Sequence, residues 1–316
     1  MGVSSYPDQP RGFARFQPWL QAARPLAHPM IFVPLVLGQA FAFRVHGQFQ
    51  WTLFIYAHLF GVLYQVYLLY LNDYADDAID RTNERYWLSG GSRVLPEGKL
   101  RGSDLRAGAR VMLAVMVALT VYLGVLADRP LMPVWLLLAV ILCWVYNSPP
   151  LQLSYRGHGE IPQGLGCGVL LPVIGFYLQH GAIEGFPWAA LIPLYLIFHA
   201  GNIITALPDY PSDRQGGKRT FPVRHGEPTA RLTALLVLAL AYITIVPTSP
   251  PLAPRSLAII VIPAALLLAL VVISGTLRKA DAAAWSACKR FVNWTSASQA
   301  WLLGAWLAAL LLGGRA

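Results

Sequence analysis

Nine predominantly apolar runs follow one another along the 316 residues, at about 27–46, 51–72, 106–127, 131–147, 163–181, 186–207, 229–247, 256–275 and 294–312. Runs near 20 residues with few charges are long enough to cross the hydrocarbon of a bilayer as helices. Composition agrees: charged residues are 12% of the chain, about half the share found in soluble domains. Residues 282–294 fit either an interfacial segment or an extension of the ninth helix. The polar, proline-containing N-terminus lacks the apolar core of a cleavable signal peptide. No linker separates the spans, so the expectation is one integral-membrane domain over residues 1–316, an all-α polytopic helix bundle.

The distribution of positive charge sets an expected orientation. Arg11, Arg15 and Arg24 precede the first span, and Arg81, Arg85, Arg93, Lys99, Arg101, Arg106 and Arg110 follow the second. Arg214, Lys218, Arg219 and Arg224 follow the sixth span, and Arg278, Lys279, Lys289 and Arg290 follow the eighth. The opposite loops carry only Arg44 and His46, Arg129, His180 and Arg255. Excess Lys and Arg marks cytoplasmic loops, which predicts a cytoplasmic N-terminus and an outer C-terminus. The net charge of +9 is then a topology signal that needs no nucleic-acid partner. Cys143, Cys167 and Cys288 have neither paired nor metal-ligand spacing and read as small core hydrophobes.

Two acidic stretches interrupt this apolar pattern. The first, Asn72-Asp73-Tyr74-Ala75-Asp76-Asp77-Ala78-Ile79-Asp80, follows the second span. On a helix, Asn72, Asp76 and Asp80 fall within roughly 80° of one another. Such a stripe is either a solvated helix end or a site for a hard cation, and oxygen ligands suit Mg²⁺ shared with substrate phosphates. The second runs from Pro208 through Asp209, Asp213 and Gly216-Gly217 to Lys218-Arg219-Thr220, after the sixth span. Pro208 and Pro211 break or restart the helix there. Both stretches emerge on the same predicted side, four spans apart, a pattern of two pseudo-repeated four-helix units plus one helix. Lys218 and Arg219 read either as topology charges or as cations over a diphosphate. A third stretch on that side, Tyr146-Asn147-Ser148-Pro149-Pro150 followed by Tyr155-Arg156-Gly157-His158-Gly159-Glu160, has the prolines and glycines of a tight return.

In order and spacing these residues resemble the UbiA superfamily of intramembrane prenyltransferases. The N-D-x-x-D-x-x-x-D signature is matched at Asn72, Asp73, Asp76 and Asp80, and D-x-x-x-D followed by G-K-R-T at Asp209, Asp213, Gly217, Lys218, Arg219 and Thr220. The stretch from Tyr146 to Glu160 looks most like the dihydroxynaphthoate polyprenyltransferase branch of menaquinone biosynthesis. That branch often carries asparagine just before the second acidic motif, where this chain has Thr205-Ala206-Leu207-Pro208.

The resemblance implies Mg²⁺ held by Asn72, Asp76, Asp80, Asp209 and Asp213, with Asp73, Lys218 and Arg219 also in the catalytic set. It further implies substrate contacts from Asn72, Arg81, Tyr146, Tyr155 and Arg156. The expected reaction ionises a prenyl diphosphate to an allylic cation, shielded from water, and transfers it to an aromatic, quinone-precursor-like acceptor. Tyr67, Tyr70, Tyr146 and Tyr177 are candidate aromatic faces for that cation. Of Lys218 and Arg219, Arg219 is expected to be the more sensitive, for its bidentate reach. His58 is fourteen residues before Asn72, about 21 Å along a helix, and is expected to be neutral and hydrogen-bonded. His199 is read the same way, and nothing in the spacing of His158 assigns it a role. No obligatory protein partner is implied, and the expected location is the inner (plasma) membrane of a prokaryote. Two other readings use the same acids: a terpene cyclase of the same superfamily that needs no acceptor, and a cation-coupled transporter. The transporter reading is the weaker, because its ion site belongs near the bilayer midplane on broken helices. The acidic signature of a membrane CDP-alcohol phosphotransferase is absent.

Overall fold

The computed structural model describes residues 16–83, 91–277 and 284–312. Arg11, Arg15, Arg85, Arg278 and Lys279, counted above toward orientation, lie outside them. Among the described residues the regular structure is helical, in chain order α1 Gln17–Ala23, α2 Pro29–His46, α3 Trp51–Asp80, α4 Gly102–Leu126, α5 Met132–Asn147, α6 Leu153–Arg156, α7 Glu160–Leu165, α8 Leu171–His180, α9 Leu191–Ala206, α10 Tyr210–Gln215, α11 Phe221–His225, α12 Glu227–Thr248, α13 Pro254–Ile273 and α14 Trp285–Leu312. A π-helical turn, Gly166–Leu170, joins α7 to α8, so that Glu160–His180 forms one crossing element. Eight of these elements are long and apolar enough to cross a membrane, and α5 is a shorter apolar one, which accounts for the nine expected spans.

The boundaries differ from the apolar runs where polar chemistry extends or stops a helix. At 30 residues α3 is about 45 Å long, well beyond the hydrocarbon thickness, and it runs through Asn72–Asp80 without a break. The Asp104 carboxylate accepts the Arg101 backbone N–H at 2.9 Å, and this cap starts α4 four residues before its apolar run. Residues 285–294 belong to α14, so the ninth helix is the extended one.

Packing follows the expected duplication. Helix α3 lies along α4 as α9 lies along α12, and α2 crosses α8 at the seam between the two units. That crossing is close because it is made by small residues: a Cβ on Gly38 would strike the Pro172 backbone, and one on Gly175 the Leu35 carbonyl. Where lipid removes any hydrophobic drive between helices, such van der Waals contact holds them together. One buried apolar cluster centres on α2, α8, α9, α12 and α14, with Phe41, Phe176, Phe291 and Trp306 fully buried. The other joins α2 through α5 to α8.

The two ends of the bundle are chemically distinct. At one end Arg129 donates to the Leu178 carbonyl at 2.7 Å and to Gln179 at 3.3 Å, satisfying the last carbonyls of α8. Gln179 and the Gln50 backbone exchange hydrogen bonds at the same end. The loops after α3, α5 and α9 converge at the other end. Asn83 donates to Asp209 at 2.8 Å, the Tyr155 hydroxyl to the Ala75 carbonyl at 2.8 Å, and the Arg219 N–H to the Tyr155 carbonyl at 3.0 Å. Arg231, fully buried in α12 and paired with Glu227 at 3.2 Å, holds the loop after α13 to this end through the Thr276 carbonyl.

Candidate active site

The converging loops enclose a cavity of about 160 Å³ among the helix ends. Its wall includes Asn72, Asp76 and Asp80 from α3, and Asp209, Asp213, Lys218 and Thr220 from the second acidic stretch. Tyr146 comes from the last turn of α5, Ser154 from α6, Gly159 and Glu160 from the start of α7, and Asn202 and Thr205 from α9. The two acidic motifs, far apart in sequence, therefore share one chamber.

Local structure explains each approach. On α3 the Asn72 amide donates to Asp76 at 3.1 Å and reaches Asn147 at 3.3 Å, which holds the first turn of the motif. Helix α9 stops at Ala206, and α10 restarts at Tyr210 with Pro211 in its first turn, the break expected from the prolines. Asp209 stands at that restart, and the Thr220 hydroxyl donates to Asp213 at 3.1 Å. At Gly217 the chain takes φ +73°, which favours glycine. The resulting turn carries the Lys218 ammonium to 2.8 Å from Asp76, a bond that spans 142 residues and joins the two motifs.

Electrostatically the chamber is overcrowded with acid. Burial, then the Asp209 and Asp76 carboxylates acting against Lys218, pushes Asp213 up to about 7. Burial alone would lower the Lys218 amine, but Asp76 and Asp213 outweigh it and hold the amine well above its ordinary value. Asp76 Oδ1 is buried and has no hydrogen-bond partner among the described residues, although Oδ2 has two. No three His, Cys, Asp or Glu side chains among the described residues converge to cage an ion on their own. A hard cation here would need further ligands from water or substrate, which is how Mg²⁺ is usually held.

Several residues singled out in the sequence lie elsewhere. Asp73 is buried off the cavity wall, where Arg24 donates to one carboxylate oxygen and the Ser92 hydroxyl to the other. Arg81 pairs with Asp77 at 3.0 Å on the surface, and Arg156 and Arg219 are exposed. Tyr155 stands behind Lys218, whose ammonium is 5.1 Å from its ring centroid. Of the four candidate aromatic faces only Tyr146 lines the cavity. Tyr177 sits at the opposite end and accepts the Leu131 N–H at 2.9 Å, while the Tyr70 hydroxyl donates to the Trp19 carbonyl. His199 has the expected partner, the Tyr195 hydroxyl at 3.2 Å. His58 does not: it packs between the Phe32 and Phe54 rings, and neither ring nitrogen has a partner among the described residues. His158 touches Arg224 at 3.0 Å and is not on the cavity wall.

Other cavity residues carried no role in the sequence. Arg24 read as a topology charge, yet it lines the cavity and clamps Asp73. Gly91 lies against Asp80, where an added Cβ would collide with a carboxylate oxygen, and its φ of +72° independently favours glycine. Asn202, a polar residue in an apolar run, donates to the Tyr146 hydroxyl at 3.3 Å.

Comparison with known proteins agrees with this architecture. The model of the UbiA prenyltransferase family matches residues 31–297. A 1,4-dihydroxy-2-naphthoate octaprenyltransferase of Bacillus subtilis is 26% identical over 235 residues, 72% of this chain and 71% of the relative. The enzyme of the same description from Escherichia coli is 28% identical over 227 residues, 69% and 71% of the two chains. In fold, the chain is similar to a UbiA homolog from Archaeoglobus fulgidus bound to DMAPP and Mg²⁺, with a TM-score of 0.67 at 17% identity, covering 91% of this chain and 98% of that one. The same homolog bound to GPP and Mg²⁺ gives a TM-score of 0.68 at 19% identity, covering 91% and 99%. With its family model covering most of the chain and both acidic motifs around one cavity, this integral membrane protein belongs to the UbiA prenyltransferase family.

Proposed function

We propose that the protein transfers a prenyl group from a prenyl diphosphate to an aromatic, quinone-precursor-like acceptor within the membrane, with Mg²⁺ as the metal. The observation that carries this reading is the meeting of the two acidic motifs at one cavity, joined by the Lys218–Asp76 contact at 2.8 Å. The acceptor class follows the two naphthoate octaprenyltransferases among the relatives. The metal follows the Mg²⁺ in the A. fulgidus homolog and the donor set of this chain. That set is all oxygen and includes the buried, unpartnered Oδ1 of Asp76. Asn72, Asp76, Asp80, Asp209 and Asp213 would hold the ion, which when bound supplies positive charge to the diphosphate oxygens.

The chain's own groups do the rest. Lys218 neutralises Asp76 before substrate arrives and is in reach of the leaving group once a cation takes over that role. Tyr146 offers a ring at the cavity wall to charge developing on the allylic carbon. The isoprenoid tail would lie among the spans, opening sideways to lipid, with the reacting carbon kept from water. We take residues 1–316 as a single domain, with the cavity end cytoplasmic because Arg93, Lys99, Arg101, Arg214 and Arg224 cluster there.

Purified protein incubated with prenyl diphosphates of several lengths, with and without hydroxynaphthoate or hydroxybenzoate acceptors and with and without Mg²⁺, tests this reading. Prenylated acceptor formed only with metal is the expected result. A cyclic hydrocarbon formed without any acceptor would make the protein a cyclase, and turnover in excess chelator would remove the metal.

A further inference from the structure

One wall of the cavity carries a carboxylate outside both acidic motifs. Glu160 opens α7, is 5% exposed, and shares that wall with Tyr146, Ser154, Gly159 and Asn202. Its Oε2 is buried and has no hydrogen-bond partner among the described residues. Neighbouring polar groups are committed elsewhere. The Asn202 amide donates to the Tyr146 hydroxyl and to Gln163, and the Ser154 hydroxyl to the Tyr146 carbonyl at 2.7 Å. Arg224 donates to the Arg156 and Gly157 carbonyls at 3.3 and 3.2 Å. A buried acceptor atom left without a donor calls for one, and a ligand in the cavity is the available source.

Resting on the transferase reading above, the geometry points to Glu160 as the base that takes the hydroxyl proton of the aromatic acceptor. As that proton passes to Oε2, the electron pair of the broken O–H bond drives an adjacent ring carbon onto the allylic carbon. The carbon–oxygen bond of the prenyl diphosphate breaks, and its pair leaves with diphosphate. The ring proton at the new carbon–carbon bond then returns to the acceptor oxygen, restoring the aromatic hydroxyl, and Glu160 gives its proton to the departing diphosphate or to water. The acceptor class is thereby narrowed to ring-hydroxylated aromatics, read by the Glu160 side of the cavity, while the acidic motifs and Lys218 face the diphosphate.

The test compares wild type, Glu160→Gln and Glu160→Asp on a hydroxyarene acceptor and on its polyfluorinated analogue, which is already ionised at the assay pH. Glu160→Gln is expected to lower kcat for the ordinary acceptor about a hundredfold or more, with KM for prenyl diphosphate held within about twofold. The deficit should shrink to less than about tenfold on the ionised analogue, because a base is no longer needed. Glu160→Asp should recover part of the rate. If Glu160→Gln does not fold, the same two-acceptor comparison in Glu160→Asp decides: a deficit confined to the ordinary acceptor supports the base. Equal deficits on both acceptors, a wild-type rate in Glu160→Gln, or loss of prenyl diphosphate binding would overturn it. A wild-type protein that prenylates neither acceptor would instead refute the transferase reading itself.

Discussion

Lys218 and Arg219 are adjacent in sequence and part company in the structure. The turn at Gly217 directs Lys218 into the cavity and leaves Arg219 exposed, so the expected order of sensitivity reverses. Lys218→Gln should weaken the use of prenyl diphosphate at least about tenfold, since a charge-assisted hydrogen bond of roughly 1.5–3 kcal/mol is lost. Arg219→Gln should stay within about twofold of wild type in the same steady-state assay. Gly91→Ala gives a second residue-scale prediction. The added methyl meets the Asp80 carboxylate on a backbone that already has positive φ, so activity should fall while helix content is kept. Measured kcat/KM beside circular dichroism checks this, and wild-type activity would mean that Asp80 moves freely. The acids themselves are legible in the sequence, because four-residue spacing on an apolar helix makes a stripe. Arg24 is not, because its partner Asp73 is 49 residues away and no local pattern links them.

Among the elements, the α2–α8 crossing depends on the absence of side chains. Gly38→Val places branched carbon against the Pro172 backbone, which cannot yield as a flexible side chain can. Overpacking of this kind typically costs about 1–3 kcal/mol. The expected outcome is lower yield and a lower Tm in detergent, read by scanning fluorimetry, while Gly304→Ala, with open space around its Cβ, should be silent. An unchanged Tm in Gly38→Val would mean that the α2–α8 seam has room for a side chain at Gly38. Apolar run length makes the existence of these helices legible. Their ends are less so, because boundaries are set by capping and by prolines, as at Asp104 and Pro211. The π-helical turn at Gly166–Leu170 leaves no periodic trace at all.

At the scale of the whole molecule, duplication puts the ends of α3 and α10 at one chamber, and the loops rich in Lys and Arg lie at that same end. With the native cysteines replaced, Ser103→Cys, exposed at the start of α4, should resist an impermeant thiol reagent in intact cells and label after permeabilisation. Labelling in intact cells would put the chamber on the other leaflet. The central claim is that both motifs act on one metal-bound diphosphate. Binding of a non-ionisable prenyl thiolodiphosphate, titrated with Mg²⁺ in wild type, Asp76→Asn and Asp209→Asn, tests it most directly. Tight binding that requires metal in wild type and falls about ten- to a hundredfold in each variant is the predicted result. Binding that ignores Mg²⁺, or that depends on one motif and not the other, would contradict it.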